Sequence, residues 1–222
     1  MHLANVAEPR TPRDVLWEIN VRGTRRAAEM ASEAGVRRFV YMSSIKTSSA
    51  GDFYGATKLE AERALAEVAS RGEMEIVVLR PPLLYGAGVK GGFHLLLRAI
   101  ARGWPLPFGA IENRRSLLYV ENLADAIVHC LEDARAAGRT YALSDGRALS
   151  TPELCRMLGQ ALGRPAKLFP APAVLLNRFS RIRALTESLE IDDSALRAEL
   201  AWKPPFSLEQ GMRATAQWYL TS

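Results

Sequence analysis

The feature that most constrains the fold is a pair of strand-like segments separated by a helical pattern. The segment from Glu75 to Arg80 is almost wholly apolar between its ends, which is typical of a strand covered on both faces. Residues 38–44 are a second β-branched and aromatic run, and residues 54–69 between the two have helical periodicity. A strand, a helix and a strand in this order predict a right-handed crossover between parallel strands. The sequence therefore predicts an α/β fold with a doubly wound parallel sheet.

Further helices and strands are predicted along the rest of the chain. Residues 1–5 begin as if inside a strand, and residues 14–34 form a long amphipathic pattern that ends at Gly35. Asn122 is predicted to cap a helix over 121–133. A helix is predicted to start at the segment Thr151, Pro152 and Glu153. The other predictions are a helix over 93–102 and strands over 116–120 and 140–143.

The amino-acid composition changes after Pro81 and Pro82, which suggests that the chain has two parts. Proline, glycine and arginine become more frequent beyond this point. We expect residues 1–80 to form a Rossmann-like part. Residues 81–222 are expected to form mostly a small substrate-binding lobe, with segments near 116–145 returning to the Rossmann-like part.

Composition and charge restrict the classes of ligand. The chain has 222 residues, of which 48% are hydrophobic and 24% charged, which is an ordinary globular composition. Its net charge of +5 comes from arginines spread along the chain, and this favours anionic small ligands over nucleic acid. Cys130 and Cys155 have no metal-like spacing and are predicted to be buried free thiols, so no metal site is expected. With no signal peptide or membrane-spanning run, we expect a cytoplasmic protein without a membrane partner.

A chemically suggestive pair is formed by Tyr54 and Lys58, which lie four positions apart on a predicted helix and so project from one face. A buried ammonium beside a phenol stabilises the phenolate, so the pKa of Tyr54 is predicted to fall from about 10 toward neutrality. Such a tyrosine can remove a proton from an alcohol, with Ser44 holding the reacting oxygen. The alternatives are a packed Tyr54 ring, a solvated Lys58 that pairs with Glu62, and serines that merely end a strand.

These residues and their neighbours resemble a known family, the extended short-chain dehydrogenases/reductases of the NAD-dependent epimerase/dehydratase type. Ser43-Ser44 followed by Tyr54-x-x-x-Lys58 resembles its catalytic motif. The other resembling motifs are Asn20-Val21-Arg22-Gly23-Thr24, Leu79-Arg80-Pro81-Pro82-Leu83-Leu84-Tyr85-Gly86, Arg115-Ser116-Leu117-Leu118-Tyr119-Val120, and Asn122-Leu123-Ala124-Asp125-Ala126. The resemblance implies a Rossmann-like fold, an NAD cofactor and a nucleotide-sugar substrate.

The resemblance also implies roles for particular residues. Ser44, Tyr54 and Lys58 would be catalytic. The nucleotide sugar would contact Leu83, Arg183 and Arg115, with Arg114 as the alternative to Arg115 for the pyrophosphate. A homodimer would form through the helices at 14–34 and 54–69. The expected NAD contacts are Ala4, Asn20, Ser43, Tyr54, Lys58 and Pro81.

The reaction implied by the resemblance is epimerisation. Ser44 is followed by Ile45 and Lys46, where dehydratases of this superfamily carry an Asp-Glu pair, so dehydration is disfavoured. We expect inversion at C4 of a UDP-hexose or UDP-N-acetylhexosamine through a 4-keto intermediate, for surface polysaccharide synthesis. The alternatives are a nucleotide-sugar reductase and an inactive pseudoenzyme or binding lobe. The family's opening Gly-x-x-Gly-x-x-Gly turn is missing from the sequence. We therefore expect the first strands of the sheet to be absent, the chain to be incomplete and its affinity for NAD to be negligible.

Overall fold

A computed structural model describes residues 1–8, 11–49, 51–172 and 185–222, which contain both strands and helices. The strands are β1 (Arg38–Met42), β2 (Glu75–Arg80), β3 (Leu83–Tyr85), β4 (Leu117–Tyr119) and β5 (Thr140–Ala142). The helices are α1 (Arg13–Trp17), α2 (Thr24–Glu33), α3 (Phe53–Ala69), α4 (Gly91–Ala101), α5 (Val120–Glu132), α6 (Thr151–Ala161), α7 (Ser194–Leu200) and α8 (Leu208–Thr221).

The larger sheet has the strand order β1-β2-β5, and all of its pairings are parallel. Phe39 lies opposite Ile76, and helix α3 provides the crossover between β1 and β2. The predicted α/β class with a parallel sheet is confirmed. Residues 1–5 are not a regular strand, because His2 alone forms a parallel bridge with Tyr41. Strands β3 and β4 form a second, two-stranded parallel sheet.

The predicted helix over 14–34 is interrupted by a wider turn. A π-helical segment, Glu18–Gly23, lies between α1 and α2. Such local widening is frequent at functional sites, and here it coincides with the fully buried Asn20. The helical run ends before Gly35, whose φ of +73° suits glycine after a helix.

The described chain divides into two compact units. The first unit comprises Met1–Pro82, Asp125–Leu143 and Asp192–Lys203, and the second comprises Leu83–Ala124, Ser144–Ile191 and Pro204–Ser222. In the first unit, α2 and α3 pack on β1 and β2 around residues such as Phe39, Leu65 and Ile76. In the second, an apolar core gathers side chains from β3, β4, α4, α6 and α8.

The structure corrects one predicted helix cap and confirms one predicted helix start. Asn122 lies within α5 and does not cap it, because the helix begins at Val120 directly after β4. Its amide instead donates to Asp145 Oδ1 at 2.7 Å and to the Phe206 carbonyl at 3.0 Å. Helix α6 begins at Thr151, as predicted; Ser150 is its N-cap, and Glu153 completes the capping box.

Both cysteines are buried and free, as predicted. Burial raises the pKa of Cys130 to about 11 and that of Cys155 to about 12, so both remain protonated thiols at neutral pH.

Candidate active site

Lys58 lies in the interior of the first unit, with 1% of its surface exposed. Its Nζ donates to the Met42 carbonyl at 2.7 Å and lies 5.9 Å from the centroid of the Tyr54 ring. Burial disfavours the charged form and lowers the pKa of Lys58 to about 8, although the negative charge of Glu62 opposes this shift. Lys58 is therefore buried, and the alternative of a solvated Lys58 that pairs with Glu62 is wrong.

Tyr54 is half-buried in the first turn of α3, on the helix face that carries Lys58. Burial raises the pKa of Tyr54 to about 12, and the nearby negative charge of Asp52 acts in the same direction. The predicted fall of this pKa toward neutrality is wrong for the protein alone. The reason is that the phenolate loses hydration here and the ammonium of Lys58 does not compensate for that loss.

The loop that follows Ser44 is held against the start of α3. Ser44 Oγ accepts a hydrogen bond from the Lys46 backbone N at 3.2 Å and caps the short 3₁₀ helix Ile45–Ser48. A Cβ added at Gly55 would lie 2.1 Å from the Lys46 carbonyl oxygen, so glycine allows the loop and the helix to meet. The segment carrying Ser44 thus approaches the turn carrying Tyr54.

Ser43 takes part in a second polar network. Its Oγ donates to Glu62 Oε1, and Glu62 also accepts from Arg80 Nε at 2.9 Å and from Arg80 Nη2. The Ser43 backbone N donates to the Leu79 carbonyl at 2.8 Å. Glu62 therefore connects α3 to the carboxyl ends of β1 and β2, which is the edge of a parallel sheet where ligands bind.

Asn20 connects the beginning of the chain to the helix of Tyr54 and Lys58. Its Oδ1 accepts from the Val6 backbone N at 2.8 Å, and its Nδ2 donates to the Val6 carbonyl at 2.9 Å and to Thr57 Oγ1 at 3.2 Å. Ala4, a predicted NAD contact in the same segment, is exposed. Asn20 thus orders the backbone on which Ala4 lies.

The remaining predicted residues lie at the end of the first unit and in the second. Pro81 is buried, and its carbonyl accepts from the Ile45 backbone N at 3.2 Å. Leu83 is the first residue of β3 and lies opposite Leu117 of β4. Arg183 lies outside the described residues.

The two candidate phosphate-binding arginines differ in environment. Arg114 is exposed and forms a two-pronged ion pair with Glu190 at 2.8 and 2.9 Å. Arg115 is half-buried, and its Nη1 donates to the Glu187 carbonyl at 2.9 Å. Its Nε is buried and has no hydrogen-bond partner within the described parts of the chain. Burial lowers the pKa of Arg115, which nevertheless remains a cation.

Several residues of this region were not assigned a site role from the sequence. Glu62 was considered only as a partner of Lys58, although its position four residues after Lys58 places it on the same helix face. Asp52 precedes a helical pattern and could have been recognised as its cap, since its Oδ1 accepts from the Gly55 backbone N at 3.0 Å. Lys46 had no sequence signal beyond its proximity to Ser44.

Within the described ranges, no group of three or more His, Cys, Asp or Glu side chains could hold a metal ion. No helix in the described part of the chain is long and apolar enough to cross a bilayer.

Comparison with known proteins assigns the chain to a family. The model of the NAD dependent epimerase/dehydratase family matches residues 1–144. A UDP-glucose 4-epimerase of Vibrio cholerae is 38% identical over 96% of this chain and 72% of its own length. An N-acetyl-α-D-glucosaminyl-diphospho-ditrans,octacis-undecaprenol 4-epimerase of Escherichia coli O157:H7 is 23% identical, over 94% of this chain and 73% of its own.

Solved structures agree on the fold. The UDP-glucuronic acid 4-epimerase of Bacillus cereus, in complex with UDP-glucuronic acid and NAD, superposes with a TM-score of 0.79 at 21% identity. That superposition covers 100% of this chain and 74% of the other. This superposition shows the fold, and the family model and the Vibrio cholerae relative show that the chain belongs to the NAD dependent epimerase/dehydratase family.

Proposed function

We propose that the protein inverts C4 of a UDP-hexose or UDP-N-acetylhexosamine through a 4-keto intermediate. The observation that carries the proposal is the buried Lys58 ammonium, 5.9 Å from the Tyr54 ring on one face of α3. The Vibrio cholerae and Escherichia coli relatives are both named as 4-epimerases, and this supports C4 as the position that changes. A role in surface polysaccharide synthesis is part of the same proposal.

The residues around Lys58 fit the ribose end of NAD. The ammonium has three N–H donors, and Met42 is the acceptor found for it within the described residues, so donors remain for ribose hydroxyls. Lys58, Tyr54 and Ser43 would contact this end of the cofactor, with Asn20, Ala4 and Pro81 around it. When bound, NAD supplies the acceptor for the hydride that leaves C4 and, in its oxidised form, a positive charge.

The chain's own residues move the proton. Tyr54 Oη would accept the proton of the C4 hydroxyl during oxidation and return it during reduction of the 4-keto sugar. A pKa near 12 leaves little phenolate in the protein alone, so positive charge near the phenol is needed for this step. Lys58 would supply part of that charge, and Ser44 Oγ would hold the sugar oxygen.

Arg115 is the better candidate for the substrate pyrophosphate. Its buried Nε is a donor without a partner in the described residues, whereas both prongs of Arg114 are engaged by Glu190. A guanidinium with free donors binds phosphate oxygens in a planar, two-pronged arrangement. We also propose that the second unit is the substrate-binding lobe, with Leu83 and Arg183 among its contacts.

The test is an epimerisation assay on the full chain with added NAD. UDP-glucose and UDP-N-acetylglucosamine are the first substrates, and the 4-epimer is the expected product. Tyr54→Phe should lower turnover by about 10²–10⁴-fold while substrate binding persists, because the base is lost and the ring remains. Tyr219→Phe, in the second unit, is the matched control and should retain activity. An active wild-type protein and a Tyr54→Phe variant of near-normal activity would refute the mechanism.

The second candidate function is a non-catalytic binding lobe, favoured by the raised pKa of Tyr54, which leaves little phenolate in the protein alone. Calorimetric titration of the protein with NAD distinguishes the epimerase from the non-catalytic binding lobe. Micromolar binding of NAD supports the epimerase, and undetectable binding supports the non-catalytic lobe. A reductase would instead consume reduced cofactor in proportion to product. A homodimer through residues 14–34 and 54–69 and a cytoplasmic location complete the proposal.

A further inference from the structure

A second cation lies beside Tyr54, on the side of the loop that follows Ser44. Lys46 Nζ is 5.9 Å from the centroid of the Tyr54 ring, the same distance as Lys58 Nζ. The two differ in exposure, since Lys58 is buried and the Lys46 side chain is 48% exposed. The Lys46 ammonium is therefore in contact with solvent, whereas the Lys58 ammonium lies in the interior.

Lys46 is held in this position by Asp52. Its Nζ lies 2.8 Å from Asp52 Oδ2, while Asp52 Oδ1 accepts from the backbone N of Gly55. The same carboxylate thus caps the helix of Tyr54 and anchors the lysine. The contact between Gly55 and the Lys46 carbonyl fixes the backbone of the loop against the helix.

We propose that Lys46 is a positioning residue that pairs with the Asp52 carboxylate beside Tyr54, so that Asp52 caps the helix and opposes proton removal from the phenol less than an unpaired carboxylate would. This inference deepens the proposed function and rests on Tyr54 being its base. The chemistry is electrostatic: an unpaired carboxylate beside a phenol disfavours the phenolate, and a paired one does so much less.

The other groups near Tyr54 do not replace this arrangement. Lys58 approaches from the same helix, and the Tyr41 phenol approaches from β1. The pKa of Asp52 is lowered despite its burial, because Lys46 and the backbone of Gly55 stabilise the carboxylate. Asp52 is therefore charged at neutral pH, and Lys46 is its cationic partner in the described structure.

The proposal makes opposite predictions for the two partners. Lys46→Met leaves the carboxylate unpaired and should raise the Tyr54 pKa by about 0.5–1, the Coulomb effect of one charge at such a distance in a water-like medium. Asp52→Asn keeps a capping side chain but leaves the cation unpaired, so it should lower the same pKa by a similar amount. The double variant should return close to the wild-type value.

The measurement is a ¹⁹F NMR titration of a trifluorinated tyrosine placed at position 54 alone, since fluorination makes the phenol more acidic and brings its titration into the stable pH range. Lys203→Met, which removes an exposed lysine from the same unit, is the control and should leave the pKa unchanged. The readout needs neither substrate nor turnover, so it remains informative if the epimerase proposal fails. Shifts of the same sign in both single variants would indicate a merely structural role and overturn the inference, as would shifts no larger than that of the control.

Discussion

Replacing Lys58 with methionine should make the pH dependence of stability flatter, because Lys58 is a buried cation. The pKa of Lys58 falls from 10.5 to about 8 in the folded protein. Each pKa unit corresponds to about 1.4 kcal/mol, so the charged form is penalised by about 3 kcal/mol relative to the unfolded chain. Methionine has a similar length and can occupy the same apolar surroundings without charge.

The sign follows from which state binds the proton. Between about pH 8 and pH 10.5 the unfolded chain holds a proton on Lys58 that the folded protein has released, so stability rises with pH in this window. Below the pKa of Lys58 in the folded protein, Lys58 is protonated in both the folded and the unfolded state. The folded protein then carries the full free-energy cost of burying this charge. The quantity to compare is the free energy of unfolding of the wild-type protein minus that of Lys58→Met. This difference should be lower by about 3 kcal/mol at neutral pH than at pH 10.5.

Urea denaturation of both proteins across this pH range measures the difference. The methionine variant loses the hydrogen bond to the Met42 carbonyl, which lowers its free energy of unfolding. This decrease is the same at each pH, so it does not change how the difference between the two proteins depends on pH. Lys203→Met, at an exposed position, should give a flat difference. A flat difference for Lys58→Met as well would show that Lys58 is not penalised by burial and would refute the reasoning.

Two further substitutions test the contacts that assemble the site. Gly55→Ala should destabilise the protein by about 1–3 kcal/mol in urea denaturation, because the new methyl group would overlap the Lys46 carbonyl. Gly23→Ala is its helical control, because a Cβ added at Gly23 would lie 3.5 Å from the Glu18 carbonyl oxygen. This variant should be neutral or stabilising by up to about 1 kcal/mol, and equal effects of the two variants would contradict the predicted overlap. Asn20→Ala removes three hydrogen bonds of a fully buried amide and should accelerate amide hydrogen exchange at Val6, whereas unchanged exchange there would show that Asn20 does not order this segment.

The sheet could be predicted from the sequence because its signals are local and redundant. The apolar run from Glu75 to Arg80 and the amphipathic period of residues 54–69 each favour one element, and their order along the chain then fixes a parallel pairing. The π-helical turn at Glu18–Gly23 was missed because its residues also satisfy the periodicity of an ordinary helix. This turn contains Asn20, whose hydrogen bonds to Val6 no local pattern reveals.

The site could be predicted only in part, because its residue types are visible in sequence and their surroundings are not. The spacing of Tyr54 and Lys58 predicted their shared face, but the direction of the Tyr54 pKa shift depends on burial and on Asp52, which only the structure supplies. The connection of Glu62 to Arg80 spans 18 positions, and a charge pair at that separation has no recognisable spacing.

Helix α3 organises this region, because its polar face is attached to different parts of the sheet. Tyr54, Lys58 and Glu62 recur every four positions and therefore lie along one side of the helix. Lys58 is bonded to the carbonyl that ends β1, and Glu62 is bonded to side chains at the ends of β1 and β2. Each bond fixes the rotation of α3 about its axis, and with it the direction of the Tyr54 side chain one turn away. A buried lysine that lowers stability at neutral pH is thus consistent with selection for the position of Tyr54 over stability.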